Sequence, residues 1–477
     1  ALLLKIMQKA REGHLSIQNQ EDIQADYIEK IEPHTEWFDK LIGKWGQSYY
    51  LQRNWVLESR VVKEFKRLLS KSVKPIDKAS YEGLNAKQKE AVEKGLKEAV
   101  LCLTGGPGTG KTYVIAHLVR AYLKGSSGKV ILAAPTGKAI RHLSEKLAKE
   151  IQAFKGRVEA GTLHAILKIG KEGEIIWKND FLEGGLLIVD ECSMIDVALL
   201  SATLRAIPQE MRVIFVGDHH QLPPVEAGSL FGDLCDFMEH EKPEGYVCLS
   251  DCMRSNDQEI LGWAQAIKKG EMQDVCKLQD KLEIKKWSQF FLNPMKEEPK
   301  MEELFLNGKK FRVLSCLKKG VWGVEMINKK IAETLRESFC SGEIFPIPIM
   351  ITRTDYELNL FNGDMGFLLK RTQSSYLQKA DEVVFNEGGH YRKLSALLAP
   401  PFEYAYCLSV HKSQGSEYDH VVLVVPKGAE VFGREILYTG VTRARQSIEV
   451  IGEYNVIESC IKKSSQKRSL LKMRLKL

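Results

Sequence analysis

Short, continuous apolar runs recur along the first half of the chain, and each is followed by polar or Gly-rich sequence. The runs lie at residues 100–103, 130–133, 186–189 and 213–216. They alternate with stretches of helical character, which is the pattern of a parallel sheet with crossover helices. Strands of such a sheet are covered on both faces, so they are expected to be apolar throughout. Residues 84–245 are therefore predicted to form an α/β domain.

A second α/β domain is predicted over residues 246–477. Its expected strands lie at residues 311–314, 347–351, 405–408, 421–425 and 447–451. From about 363 to 402 the sequence becomes Gly-rich and β-prone, which predicts a small barrel-like insertion.

Residues 1–83 have a different pattern, rich in charge and in helix-forming residues. Apolar positions recur at helical spacing from Trp55 to Leu69, which predicts an amphipathic helix. Pro75 then marks a linker. The sequence therefore predicts an α/β fold class with a helical N-terminal domain and two parallel-sheet domains.

Composition and charge exclude some classes of protein. No run of about 18 apolar residues is present, so no membrane span is expected. The chain does not begin with Met, which indicates a processed or truncated start, and its first residues are too soon charged for a secretory signal. Ten scattered cysteines without a C-x-x-C pair argue against a zinc ribbon. They fit a reducing compartment, so a cytoplasmic location is expected.

The net charge of +7 is concentrated at the C-terminal end. Residues 461–477 carry seven Lys and Arg side chains and no acid, so the rest of the chain is close to neutral. The overall charge is therefore weak support for nucleic-acid binding. The tail has two interpretations, a solvated end or an arm that contacts phosphates.

A glycine-rich loop between the first predicted strand and a helix carries the strongest chemical signal. It comprises Gly105, Gly106, Pro107, Gly108, Thr109, Gly110, Lys111 and Thr112. This spacing is the P-loop pattern, in which backbone N–H groups and a helix N-terminus surround phosphate oxygens. Lys111 is expected to reach the β- and γ-phosphates, and the Thr112 hydroxyl to bind Mg²⁺. The chain is therefore predicted to bind a nucleoside triphosphate.

Three residues after later strands complete the predicted ATPase centre. Asp190 and Glu191 directly follow the run at 186–189. Asp190 is expected to hold Mg²⁺, and Glu191 to polarise the attacking water. Gln221 follows the run at 213–216 and is expected to touch the γ-phosphate. The adjacent His219 and His220 are equally compatible with a functional role and with exposure in a loop without a ligand role.

Hydrolysis also requires positive charge on the departing phosphoryl group, commonly from an arginine on another element. Arg254, just past the first α/β domain, is one candidate. Arg443 is the other, within Val441-Thr442-Arg443-Ala444-Arg445.

These blocks, in this order, resemble the motifs of superfamily 1 helicases. Residues 190–191, 217–222, 410–417 and 441–445 are similar to motifs II, III, V and VI, and residues 135–139 and 161–164 to motifs Ia and Ib. Residues 84–88 resemble the Q motif, in which Gln88 would read adenine. One departure is His220, which stands where an acid is common.

Three further segments resemble the RecD-type 5′→3′ branch of the superfamily. They are residues 313–328, residues 359–366 at the entry to an SH3-like insertion, and residues 50–58 in the N-terminal region. The resemblance implies two RecA-like lobes with ATP between them. The N-terminal region is shorter than that of stand-alone RecD-like helicases, so the resemblance favours a subunit of a RecBCD-type complex. Such a subunit would dock on a RecC-type partner through residues 1–83.

The resemblance also implies roles for individual residues. ATP binding would involve Gln88, Gln414, Gly415 and Glu417, in addition to the P-loop. DNA binding would involve Thr136, Lys138, Thr162, His164, His411 and Lys412. Within a hairpin region at about 165–185, residues 166–177 are predicted to form a strand-separating pin.

The leading hypothesis is an ATP- and Mg²⁺-dependent 5′→3′ DNA helicase, acting with RecB- and RecC-type subunits in double-strand-break repair. No further acid cluster resembles a nuclease centre, so any nuclease activity is expected in a partner. A stand-alone RecD-like helicase is one alternative. An ATP-binding structural subunit without productive unwinding is another.

Overall fold

The protein is described by a computed structural model that covers residues 2–12, 14–18, 41–77, 80–169, 182–224, 226, 228–250, 258–271, 282–465 and 469–477. Its internal contacts divide the chain into two units. The first unit comprises residues 1–253 and 466–477, and the second comprises residues 254–465.

The helices and strands within the described residues follow the chain in this order. The helices are α1 (Leu2–Arg11), α2 (Gln52–Leu69), α3 (Ala86–Lys97), α4 (Lys111–Gly125), α5 (Gly137–Lys146), α6 (Ala148–Ala153), α7 (Leu163–Ile166), α8 (Val197–Ala206), α9 (Leu230–Glu241), α10 (Gln258–Lys269), α11 (Ile284–Ser288), α12 (Met301–Lys310), α13 (Val324–Arg336), α14 (Gly433–Val441), α15 (Tyr454–Lys462) and α16 (Leu471–Lys476). The strands are β1 (Ser16–Gln18), β2 (Ile42–Trp45), β3 (Ser48–Leu51), β4 (Val100–Gly105), β5 (Val130–Ala134), β6 (Val158–Thr162), β7 (Leu186–Val189), β8 (Arg212–Gly217), β9 (Tyr246–Leu249), β10 (Phe311–Ser315), β11 (Phe345–Ile351), β12 (Met365–Lys370), β13 (Glu382–Glu387), β14 (His390–Ser395), β15 (Phe402–Tyr404), β16 (Cys407–Ser409), β17 (Tyr418–Val425) and β18 (Ala444–Gly452).

A six-stranded parallel sheet with the order β6-β5-β7-β8-β4-β9 organises the first unit. The four strands predicted here are β4, β5, β7 and β8, and each is buried along its length. The edge strands β6 and β9 were not predicted. β6 is partly exposed, and Glu159 and Gly161 interrupt its apolar pattern. β9 is apolar, but it has only four residues and lies at the predicted domain boundary.

Buried side chains cover both faces of this sheet. Alternate residues of β4 join two different clusters, Val100 and Cys102 on one side and Leu101 and Leu103 on the other. This division follows from the two-residue period of a strand. It explains why the runs at 100–103 and 213–216 contain apolar residues at successive positions.

The N-terminal region belongs to the core of the first unit. Phe65 and Leu68 of α2 are fully buried in the same cluster as Val100, and the ring of Phe65 lies 6.4 Å from that of Phe237. Besides the predicted helix, the region forms a three-stranded antiparallel sheet in the order β1-β3-β2. The purely helical description was incomplete here, because strands of three or four residues are too short to show periodicity.

The basic C-terminal end folds back onto the first unit. Leu471 and Leu475 of α16 are buried among residues of α2 and α9. Its cations face acids: Lys472 lies 3.2 Å from Asp236, and Lys476 lies 2.6 Å from Glu241. The interpretation of a solvated end is therefore corrected for residues 469–477, whose helix α16 is docked, while a contact of the tail with phosphates stays a prediction.

The second unit contains two sheets. A four-stranded parallel sheet has the order β16-β10-β17-β18, and a five-stranded antiparallel sheet has the order β14-β13-β12-β11-β15. The predicted strand at 347–351 belongs to the antiparallel sheet, where Ile347 pairs with Leu368. The predicted domain boundaries and the SH3-like character of the insertion stay predictions.

No helix within the described ranges is long and apolar enough to cross a membrane. The observed architecture is α/β, as predicted.

Candidate nucleotide site and motor motifs

The P-loop joins the end of β4 to the start of α4. Gly108 and Gly110 have φ angles of +79° and +86°, a region that glycine occupies without strain. A Cβ at Gly110 would also lie 2.4 Å from Nε2 of Gln88. Gly110 is therefore required both by its backbone conformation and by this close approach.

Lys111 lies against the loop itself. Its Nζ donates hydrogen bonds to the carbonyl oxygens of Gly105 and Gly106, at 2.7 and 3.0 Å. The hydroxyl of Thr109 donates to the same Gly106 oxygen at 2.8 Å. The ammonium group is thus held at the loop that is predicted to surround the phosphates.

Gln88 supports the P-loop from α3. Asn85 and Gln88 form a capping box at the start of this helix, in which Oε1 of Gln88 accepts from the N–H of Asn85 at 3.2 Å. Nε2 of Gln88 donates to the carbonyl of Thr109 at 3.1 Å, and the side chain is buried. Gln88 therefore positions the loop, while its predicted contact with adenine stays a prediction.

Asp190 and Glu191 follow β7 at the edge of the sheet. The N–H of Asp190 continues the sheet by donating to Ala133, and its Oδ1 accepts from the N–H of Glu191 at 2.9 Å. Glu191 has a φ of +53°, a left-handed conformation that costs about 1 kcal/mol or more for a residue with a side chain. Such strain is typical of functional positions.

The charges around Asp190 come from two lysines. Burial raises the pKa of Asp190, and the ammonium groups of Lys111 and Lys146 act in the opposite direction. Lys111 and Asp190 are thus within electrostatic reach of each other, as the P-loop prediction requires. Lys146, the last residue of α5, was not identified from the sequence because it belongs to no motif.

The loop after β8 holds Gln221 through Asp218. Asp218 is buried and accepts from the N–H of His220 at 3.1 Å and from Nε2 of Gln221 at 3.4 Å. Oε1 of Gln221 is buried and has no hydrogen-bond partner in the described structure. A buried acceptor without a partner is unusual and is consistent with a group that serves a ligand or a second state.

A hydrogen bond connects this loop to the P-loop strand. Oγ1 of Thr104 lies 2.9 Å from Nδ1 of His219, and Thr104 is the residue before the P-loop glycines. The rings of His219 and His220 lie 4.1 Å apart. Sequence reasoning missed Thr104 and left the role of His219 open, because a pairing between residues 104 and 219 carries no local signal.

The strand order brings these segments together. Strands β7, β8 and β4 are neighbours and run parallel, so their carboxyl ends lie at one edge of the sheet. Asp190, Asp218 and Gly105 stand at those ends. Carboxyl ends of parallel strands are the usual location of a ligand site in an α/β fold.

The predicted metal ligands suit Mg²⁺ chemically. Thr112 and Asp190 offer a hydroxyl and a carboxylate, and Mg²⁺ commonly uses one or two such protein oxygens together with substrate phosphates. Among the described residues, no group of three or more His, Cys, Asp or Glu side chains could hold a metal. A magnesium ion held by Thr112 and Asp190 stays a prediction.

In the second unit, Arg443 is buried and held by neighbouring oxygens. Its Nε donates to the carbonyl of Thr439 at 3.0 Å, and a terminal nitrogen donates to the carbonyl of Ser416 at 3.3 Å. Glu417 pairs with Arg445 at 3.1 Å. Within this unit, Arg443 is thus connected to the segment that contains Gln414, Gly415 and Glu417.

The predicted DNA-binding residues of the first unit have visible structural roles. The hydroxyls of Thr136 and Thr162 cap α5 and α7 by accepting from the N–H groups of Ala139 and Ala165, each at 3.2 Å. His164 is exposed. A contact of these residues and of Lys138 with DNA stays a prediction.

The corresponding residues of the second unit lie beside the antiparallel sheet. Nζ of Lys412 lies 3.0 Å from Oε1 of Glu403, in β15. The ring of His411 packs against Phe432 at 5.2 Å. Arg254 and most of the predicted pin at 166–177 lie outside the described residues.

Comparisons with known families agree with the motif order. A family model described as an AAA domain matches residues 83–289, and one described as a UvrD-like helicase C-terminal domain matches residues 404–451. The two matches include the P-loop and the segment around Arg443, respectively.

Curated relatives extend the similarity over most of the chain. The RecBCD enzyme subunit RecD of Buchnera aphidicola (Schizaphis graminum strain) is 27% identical, over 79% of this chain and 74% of that protein. The RecBCD enzyme subunit RecD of Haemophilus influenzae is 28% identical, over 88% and 79%. The ATP-dependent RecD2 DNA helicase of Deinococcus radiodurans is 29% identical, over 78% of this chain and 49% of that protein.

Proposed function

We propose that this chain, a RecD-type superfamily 1 helicase by its motifs and relatives, is the 5′→3′ DNA motor of a RecBCD-like complex that acts in double-strand-break repair. One observation carries the ATPase part of the proposal. Lys111, Asp190 and the Asp218–Gln221 pair are brought to the carboxyl edge of one parallel sheet.

In the proposed reaction each of these residues has one task. Lys111 would leave the carbonyls of Gly105 and Gly106 for the β- and γ-phosphates of ATP. Glu191 would orient the attacking water and accept its proton, and Gln221 would report the presence of the γ-phosphate. When bound, Mg²⁺ would be held by Thr112 and Asp190 and would neutralise phosphate charge.

Arg443 is proposed to stabilise the charge that develops on the departing phosphoryl group. Its guanidinium is held by backbone carbonyls rather than by an acid in the contacts described, so its charge is not already neutralised by a carboxylate. A role for Arg254 is proposed from the sequence alone.

Contacts with DNA are proposed to be mainly with phosphates, because a motor must ignore base sequence. Thr136, Lys138, Thr162, His164, His411 and Lys412 are the proposed contacts. Because Lys412 pairs with Glu403, a phosphate would compete with that carboxylate for the ammonium group.

The RecD relatives favour a complex subunit over a stand-alone helicase. Two RecBCD enzyme subunits named RecD are similar over 79% and 88% of this chain. RecB- and RecC-type proteins are the proposed partners. Co-purification distinguishes the two hypotheses. A stable heterotrimer supports a complex subunit, and a chain that is active alone supports a stand-alone helicase.

A strand-displacement assay with 5′- and 3′-tailed duplexes, with and without the partners, tests the motor and its polarity. Lys111→Gln in the assembled complex is the matched variant, since it removes the charge that binds phosphates. Loss of 5′-dependent unwinding supports the proposal. Unchanged unwinding by that variant would instead assign the chain a structural role.

A further inference from the structure

A groove of about 700 Å³ runs between α2 and α8 of the first unit. One wall comes from the N-terminal region and the other from the helix after Asp190 and Glu191. His164 and Ile169 line it as well. The groove therefore begins at the segment that resembles motif Ib and extends along α2, away from any motif.

Four exposed cations line this groove. Three of them, Arg53, Arg60 and Lys63, project from α2, and Arg205 comes from the last turn of α8. Residues at positions i, i+7 and i+10 lie on one side of a helix, and here they extend over about 15 Å. The positive charge thus forms a line rather than a single point.

The acids in the groove are engaged elsewhere. The carboxylate of Asp196 caps α8 by accepting from the N–H of Leu199 at 2.8 Å. Oε2 of Glu64 pairs with Nε of Arg67 at 2.6 Å. The groove is therefore lined by four cations and two acids, which leaves a net positive charge. Because the cations are spread along α2, they favour an extended anion.

We propose that this groove binds the phosphate backbone of single-stranded DNA and extends the DNA path from His164 along α2. The proposal rests on the proposed function, since it lengthens the path of the same DNA. A line of cations that starts at a predicted DNA contact fits a repeating phosphate chain better than one small anion. Arginine, which supplies three of the four cations, binds phosphate in a bidentate manner.

The lining also predicts how the strand is recognised. Among the described lining residues there is no Phe, Tyr or Trp, and the apolar lining is aliphatic, with Leu57 and Ala202. Stacking of bases on aromatic rings is therefore not available here. Binding would be electrostatic, independent of sequence and sensitive to salt.

Binding of a labelled oligo(dT) to the full chain, measured by fluorescence anisotropy over a range of salt, tests the groove. The double variant Arg60→Ala with Lys63→Ala is expected to bind about tenfold more weakly at low salt. Its slope of log K against log[salt] is expected to fall by roughly 1.4, since each lost phosphate contact on single strands contributes about 0.7. Arg53→Gln should lower the slope by about 0.7 on its own.

Lys124→Ala with Lys129→Ala is the matched control, because both lysines are exposed cations of the first unit outside the groove. Its affinity and slope should equal those of the wild type. Groove variants that behave like this control overturn the proposal while leaving the motor intact. A wild-type chain that binds no single-stranded DNA overturns both.

An acidic segment of a partner protein is the competing occupant. If the groove variants keep the wild-type salt slope but lose a RecC-type partner in co-purification, the groove is a protein-docking surface and the DNA proposal is wrong. Equal thermal unfolding midpoints for all variants verify that the fold is unchanged.

Discussion

Arg474 and Glu58 form a buried ion pair of 3.1 Å between residues 416 positions apart in the chain. The same guanidinium donates to the Ser59 hydroxyl at 2.6 Å and lies 4.1 Å from the centre of the Trp55 ring. Burial raises the pKa of Glu58, and the charge of Arg474 opposes this shift. The pair thus holds α16 on α2 within the first unit.

Removing Arg474 should destabilise the first unit, because Glu58 would remain buried without its cation. For Arg474→Ala we expect a loss of about 3 kcal/mol in the free energy of unfolding, measured with denaturant. Lys476→Ala is the control, since its pair with Glu241 is exposed and should contribute little to stability. Equal losses from the two variants would contradict a special role for Arg474.

The titration of Asp233 should make the stability of the first unit, where α16 packs, depend on pH. Burial raises its pKa to about 7, the hydroxyl of Ser469 and Lys472 act in the opposite direction, and Glu58 and Asp236 add to the increase. Because the folded pKa lies above the unfolded value near 3.9, the stabilisation is complete below that value and is lost as the pH rises through 7. We expect a decrease on the order of 4 kcal/mol between pH 4 and pH 8, since one pKa unit corresponds to about 1.4 kcal/mol.

Thermal unfolding of Asp233→Asn over this pH range measures the effect, and the variant should show a flatter profile than the wild type. Glu239→Gln, at an exposed position of the same helix, serves as the control and should keep the wild-type slope. A wild-type profile that rises over the same range would refute the assignment to Asp233.

Gln88 should affect the whole nucleotide site rather than the base alone, because its amide holds Thr109 and Asn85. For Gln88→Ala we expect the KM for ATP and for GTP to rise by a similar factor of about ten, as for the loss of one or two hydrogen bonds. Steady-state hydrolysis with both nucleotides measures this. Lys87→Ala, at an exposed position of α3, is the control, and a defect confined to ATP would favour adenine recognition.

Thr104 should couple the P-loop strand to the loop that carries Gln221, through its hydrogen bond with His219. In Thr104→Val we expect DNA-stimulated ATP hydrolysis to fall about tenfold, the equivalent of about 1.4 kcal/mol, with little change in KM. Thr104→Ser keeps the hydroxyl and should retain most of the stimulation. If Val and Ser behave alike, the hydrogen bond has no part in coupling.

Several features followed from local sequence. The P-loop, the strands β4, β5, β7 and β8, and the helix at Trp55 to Leu69 each depend on neighbours in the chain, through glycine conformations or the period of apolar residues. Thr136 and Thr162 were identified as motif residues, and the structure adds that their hydroxyls cap helices.

Local sequence patterns could not predict the strands β1 to β3 or the docking of α16. The strands β1 to β3 are too short for a periodic pattern, and the docking of α16 depends on Arg474 meeting Glu58 across most of the chain. The tail was misjudged because its seven cations were considered without the acids that face some of them.

The amino-acid sequence by itself determined where the P-loop pattern and the Asp190-Glu191 pair lie, and it predicts triphosphate binding and water activation there, because those chemistries require particular residue types at short spacings. Only the tertiary structure decided which partners those residues have, such as Gln88 with Thr109, Thr104 with His219 and Lys412 with Glu403. Side chains that meet through folding are far apart in the chain. Their pairing depends on packing and strand order, which no local pattern records.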